Sequence, residues 1–151
     1  MDQKREYIIP TTDELRELLG GVKNMGGVLN AVEDLSGNVR GFCTVRSAPG
    51  EMPVGQFALM MLDEGDYARP IMDDIMNYLV AEAFQRRGQH KVMVYRLDYE
   101  TKIRDLYLAH GFESDGFQRE VLFAGGRWLD LESLTLVNPS RYSLRERMDA
   151  R

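Results

Sequence analysis

The spacing of apolar positions changes along the chain, and each spacing predicts a different element. From Met72 onward, Met72, Ile75, Met76, Leu79, Val80, Ala83 and Phe84 recur at three- and four-residue steps and make one helical stripe. Asp73, Asp74, Asn77, Glu82 and Gln85 take the other side. Pro70 suits the first turn of that helix, where its missing N–H would have had no intrahelical partner. Asp73 and Asp74 fall at the positive end of the helix dipole, and Arg86 and Arg87 at the negative end before Gly88.

Shorter apolar or alternating runs predict strands: EYII (6–9), VLNAVED (28–34), VRGFCTVRS (39–47), FALMML (57–62), KVMVYRL (91–97), REVLF (119–123) and WLDLESLTLV (128–137). The turn residues LSGN and AGGR make hairpins of the second and third and of the last two runs. A Pro/Gly loop, APGEMPVG, precedes FALMML. Thr11 and Glu14 form a capping box for an early helix that carries Leu15, Leu18 and Leu19 and stops at Gly20 and Gly21. ETKIRDLYLAH (100–110) predicts a shorter helix with Ile103, Leu106 and Tyr107 inward and Gly111 as its stop. The order β-α-β-β-β-α-β-α-β-β predicts a mixed α/β domain over 1–138, in which helices cover both faces of one sheet of about seven strands. A polar tail, 139–151, follows.

Composition narrows the function. A chain of 151 residues suits one domain with its own core. The formal charge of −5, with no long basic block, argues against a nucleic-acid partner. No apolar run approaches the roughly 20 residues that span a bilayer, so no membrane partner is expected. The charged start MDQKREYIIP lacks the apolar core of a secretion signal. Cys43 is the single cysteine, which excludes an internal disulfide and suits the cytoplasm; within GFCTV it reads as a small buried strand residue. Two histidines and one cysteine, far apart, show no metal-ligand spacing.

The stretch 103–137, IRDLYLAHGFESDGFQREVLFAGGRWLDLESLTLV, carries a more specific pattern. A helix with Tyr107 ends in Gly111 and Phe112. Asp115, Gly116, Arg119 and Glu120 follow, then the turn at Gly125 and Gly126, then Asp130 near the start of the last strand. This order resembles the C-terminal half of the GCN5-related N-acetyltransferase superfamily, and LVAEAFQRRG followed by HKVMVYRLD is similar to its central helix and next strand. The resemblance runs from about Glu6 to Val137.

The resemblance implies a sheet that splays between the fourth and fifth strands, 57–62 and 91–97. It implies acetyl-CoA as acyl donor, the pantetheine arm pairing with the open main chain of the first of these strands. Met60, Leu62, Arg69, Ile71, Met72 and Asp73 are the cofactor-binding residues it implies. An amine acceptor, a small molecule or a protein, attacks the thioester directly, and Tyr107 protonates the leaving thiolate. A homodimer is compatible with it. The short link GGVKNMGG (20–27) predicts an acceptor side without the helix that often closes it, and Trp128 reads either as facing that side or as packing.

One junction departs from the pattern. The glycine-rich phosphate loop of the superfamily would put its arginine or glutamine and its two small residues on Tyr67, Pro70 and Met72. No glycine lies between Asp66 and Arg87. Proline donates no N–H, and Asp73 and Asp74 would each repel a pyrophosphate by about 1 kcal/mol; Arg69 offsets about one of them. The usual asparagine seven residues before the helix tyrosine is Glu100. Three readings stay open: an acyltransferase holding CoA by strand pairing and the N–H groups of 71–74, a module that has lost catalysis, and a transferase for another acyl carrier. Tyr107 reads as the acid or as a core aromatic, and His110 as a proton carrier or a partner of its own helix terminus. The general base is unassigned among Glu33, Asp63 and Glu64.

Overall fold

A computed structural model describes residues 12, 13, 16, 17, 20, 21, 27–47 and 53–140. The expected opening strand at 6–9, most of the link 20–27 and the tail beyond 140 lie outside them. The six early positions described are helical. Among the described residues, six strands form one mixed sheet in the order β1-β2-β3-β4-β6-β5. They are β1 Val28–Glu33, β2 Val39–Ser47, β3 Val54–Met61, β4 Lys91–Leu97, β5 Glu113–Ala124 and β6 Arg127–Val137. A 3₁₀ turn, Glu64–Ala68, leads from β3 into helix α1, Ile71–Ala81; helix α2, Thr101–Ala109, follows β4.

The apolar stripe of α1 enters the core as its spacing predicts: Met72, Met76, Leu79 and Ala83 are fully buried, with Ile75, Val80 and Phe84 packed against them. They meet Val45, Phe57, Leu59 and Met61 of β2 and β3, Val92 and Val94 of β4, and Ile103, Leu106 and Tyr107 of α2 in one cluster. Tyr107, Phe112 and Phe57 pack in series as tilted ring pairs, with centroid separations of 5.3 and 6.2 Å.

Two departures from the sequence expectation have local causes. The helix does not run on as an α-helix to Arg87; after Ala81 it widens into a π turn over Glu82–Arg86. The wider turn carries Glu82 from the expected polar side into the protein, where Arg86 and Arg87 pair with it at 3.2 and 3.5 Å. Strand β5 begins at Glu113 rather than 119. Almost every residue in it is exposed, so pairing with β6, and not a buried face, makes it a strand. Without a buried face there is no alternation to read.

Helix α2 is fastened to the sheet by charge. Glu132 of β6 is fully buried and accepts hydrogen bonds from Arg96 of β4 and, at 2.9 Å, from Arg104 of α2. Burial disfavours its charged form, but hydrogen bonds from Arg104, Ser114 and Arg96 outweigh burial and bring its pKa down to about 2. The helix carrying Tyr107 is thereby held over the ends of β4 and β6.

Candidate active site

The site is a gap between two parallel strands. β3 and β4 pair at only three positions, Val54 with Lys91, Gly55 with Val92 and Gln56 with Met93. Both strands continue well beyond that point. β3 stays with β2 as far as Met61 opposite Gly41, and β4 stays with β6 as far as Leu97 opposite Leu131. Gly41 lets β3 lie close to β2 at this end: a Cβ there would stand 2.3 Å from the Met60 carbonyl oxygen. The two halves of the sheet thus hold their own partners and diverge from each other.

The pleat decides which groups face the gap. The Leu62 N–H donates to the Arg40 carbonyl at 2.8 Å, so alternation along an antiparallel ladder turns the main chain of Met60 toward β2 as well. The main chain of Phe57, Leu59 and Met61 then faces the gap. On the far side Asp98 N–H donates to Asp130 at 3.0 Å, and the same alternation turns Tyr95 and Leu97 toward β3. Side chains fill part of this edge. The Met61 N–H donates to the Tyr67 hydroxyl at 2.9 Å, and that hydroxyl points back to the Leu59 carbonyl at 3.4 Å. The Leu97 N–H donates to the Glu100 carboxylate at 2.6 Å.

The 3₁₀ turn packs against α2 and caps the gap. Asp66 in that turn is buried and takes Arg40 of β2 at 2.9 Å and Arg69 at 3.3 Å. Burial raises the Tyr67 pKa, with the Met61 hydrogen bond opposing and the charges of Glu100 and Glu64 adding to the rise. Tyr99 is raised to about 12 by burial and then by Glu100, Asp98 and Glu64. Burial likewise raises Glu100, against the Leu97 hydrogen bond and Arg96. Tyr107, only 2% exposed, is raised furthest, by burial first and then by its neighbours Tyr67 and Glu100; its hydroxyl therefore keeps its proton across the ordinary pH range.

The strand-to-helix junction is closed to an anion in several ways. The Met72 and Asp73 N–H groups, two of those expected to be free, donate to the Arg69 and Pro70 carbonyls at 3.0 Å each. The Met72 side chain is fully buried, whereas Ile71 is exposed. Asp73 is paired with the His110 ring at 2.8 Å, so that ring reaches the start of α1 rather than the end of its own helix. Arg69 has its guanidinium on Asp66. Met60 and Leu62 have exposed side chains beside the gap. Cys43 is buried, and burial raises its thiol pKa. Glu33, Asp63 and Glu64 are exposed, and of these Glu64 acts electrostatically on Tyr67, Tyr99 and Glu100. Trp128 is exposed and meets Phe123 edge-on at 5.4 Å.

The motif in the last hairpin also has a structural meaning. Glu120 takes a positive φ of 54° at an irregularity in β5, and its N–H donates to the Asp130 carboxylate at 2.9 Å. Phe117, Arg119, Glu120 and Asp130 line a surface cavity of about 470 Å³ there.

No protein-family model and no curated protein sequence matches the chain. Solved structures do. Spermidine N-acetyltransferase from Vibrio cholerae, in complex with CoA and spermine, superposes with a TM-score of 0.72 at 21% identity, covering 85% of this chain and 76% of that one. The chain has the GCN5-related N-acetyltransferase fold. A dodecameric structure of the same Vibrio cholerae enzyme in an intermediate state agrees at a TM-score of 0.71 and 22% identity, over 87% of this chain and 77% of that one. A form in complex with manganese ions gives 0.71 and 22%, over 89% and 79%. At these identities the likeness is one of fold, and the expected mixed sheet parting between the strands at 57–62 and 91–97 agrees with it. No helix among the described residues is long and apolar enough to cross a membrane.

Two residues that matter to the gap had no signal in the sequence. Tyr67 stood out there only as a misfit in a phosphate-loop pattern, and Glu100 only as a misfit for asparagine. Alternation in β3 could have shown that the main chain of Leu59 and Met61 faces the gap and that of Met60 faces β2, but only once the pairing phase with β2 was known.

Proposed function

We propose that the protein is an acyl-CoA-dependent N-acyltransferase, most simply an N-acetyltransferase, acting on a primary amine. The observation that carries this reading is the ladder of β3 and β4, which ends after Gln56 and Met93 while both strands go on. An amide-bearing pantetheine arm matches a strand edge whose N–H and C=O groups alternate into a narrow gap. The phosphate end of the same donor fits poorly, because Met72 and Asp73 have spent their N–H groups within the chain and two carboxylates stand in the first turn. Binding in this reading therefore rests on the arm.

The chain's own residues suggest the following chemistry. The amine reaches the gap at its acidic mouth, where Asp63, Glu64 and Glu100 favour a cation. Glu64, an exposed carboxylate that acts on the half-buried Tyr67 and Tyr99, receives the proton of the incoming ammonium. The amine nitrogen attacks the thioester carbonyl, the C–S bond breaks, Tyr107 gives its proton to the thiolate, and the second proton lost by the attacking nitrogen restores the Tyr107 phenol. Self-association, at its simplest a homodimer, belongs to the reading; the exposed Phe117, Val121, Leu122, Phe123 and Trp128 of the last hairpin offer apolar surface for it. The spermine and spermidine of the Vibrio cholerae enzyme make polyamines the first acceptors to try.

The test is thiol release from acetyl-CoA with a panel of polyamines, aminoglycosides and peptide N-termini, with product masses measured. An acetylated amine formed only with active protein is the expected result. Failure of every acceptor, together with no effect of millimolar acetyl-CoA on melting temperature, would refute the reading, since a ligand specific for the folded state must raise it.

A further inference from the structure

The Tyr67 hydroxyl occupies the main-chain groups on which the proposed donor would lie. It accepts from Met61 N–H at 2.9 Å and faces the Leu59 carbonyl at 3.4 Å, both on the side of β3 that β4 has left. Its position is fixed from behind. The next residue toward the N-terminus, Asp66, is buried and clasped by Arg40 of β2 through the guanidinium Nε and Nη2, at 2.9–3.2 Å, and Arg69 closes the turn on it at 3.3 Å. The phenol is itself partly buried and packed against the core. On the opposite lip Glu100 holds the Leu97 N–H in the same manner. Part of the edge opened by the divergence of two strands is thus already occupied, on both sides, by side chains of this chain.

We infer that Tyr67 is a built-in competitor for the acyl-donor arm, and that a donor enters only by displacing its hydroxyl from Met61 and Leu59. The inference rests on the acyltransferase reading, because it names the ligand that the tyrosine opposes. It assigns the turn Glu64–Ala68 a second task besides joining β3 to α1. Asp66 is the latch: while Arg40 holds it, the phenol stays in the gap; when the turn lifts, the main chain of Leu59 and Met61 becomes available. Displacement exchanges one hydrogen bond at Met61 for another from the arm, so the wild-type protein gains little from that contact.

The experiment is calorimetric titration of wild type, Tyr67→Phe and Asp66→Asn with two probes, CoA and pantetheine, the latter carrying the arm without the nucleotide. Tyr67→Phe keeps the ring and removes only the competing oxygen. Its affinity is expected to rise roughly two- to tenfold for both probes, the range of one net hydrogen bond. Asp66→Asn, which weakens the latch, is expected to move both in the same direction. Wild-type binding with equal or weaker binding by Tyr67→Phe would overturn the competitor while leaving the transferase reading in place. A gain for CoA alone would also overturn it, because the effect would then lie at the phosphates. Binding by Tyr67→Phe where wild type shows none would support the competitor and count against a working wild-type transferase. No binding by any of the three proteins would overturn both.

Discussion

The His110 ring and the Asp73 carboxylate lie 2.8 Å apart and tie the last turn of α2 to the first turn of α1. The pair stands at the helix end where a nucleotide pyrophosphate would approach, and it leaves Asp73 about two-thirds exposed. A carboxylate there stabilises the helix dipole and repels an anionic ligand at once. Asp73→Asn keeps the shape, removes the charge and is expected to tighten CoA about two- to fivefold, in line with a helix-terminal charge worth roughly 0.3–1 kcal/mol. Unchanged affinity by calorimetry would place the phosphates away from α1.

The buried pairings of Glu132 predict a response to acid. Its folded pKa, about 2, lies below the ordinary 4.5. The unfolded chain therefore takes up this proton first as pH falls, so the stability contributed is complete above about 4.5 and is lost progressively toward 2. Melting temperature should fall across that window. Glu132→Gln should remove this part of the acid response and, by leaving buried Arg96 without its carboxylate, cost about 3 kcal/mol at neutral pH. A variant as stable as wild type in urea would contradict the assignment of α2's anchor to this residue.

Tyr107 separates packing from chemistry. Its ring packs at a tilt against Phe112, and its hydroxyl keeps its proton because burial raises the pKa. Tyr107→Phe retains that ring contact, so stability should change by no more than about 1 kcal/mol. If the hydroxyl protonates the leaving thiolate, turnover should fall by about a hundredfold with little change in acetyl-CoA affinity. Equal turnover in steady-state kinetics would leave Tyr107 as a core aromatic and nothing more.

Much of this could be read from the residue pattern, and the exceptions share a cause. The stripe from Met72 to Ala83 and the strands at 39–47 and 91–97 bury one face each, so their period shows in the sequence. Strand β5 has no buried face, so its full length leaves no alternation in the sequence. Glu82 looked solvated because a π turn that rotates it inward leaves no mark on spacing. At the site, the parting of β3 and β4 followed from resemblance, while the choice of Leu59 and Met61 depends on pairing phase, which one strand alone does not encode. The absence of glycine before α1 was legible. What replaces the loop, a 3₁₀ turn clasped by Arg40 and filled by Tyr67, depends on contacts with residues distant in sequence.

In the proposed reading the divergence of β3 from β4 receives an acyl-donor arm. Amide hydrogen exchange with and without saturating acetyl-CoA reads this contact residue by residue. Donor binding is expected to slow exchange most at Leu59 of β3, less at Met61, whose N–H trades its Tyr67 hydrogen bond for one to the donor, and little at Met60 and Ala58, whose main chain faces β2. Protection confined to α1, or no protection anywhere in Phe57–Met61 while the donor is bound, would contradict it.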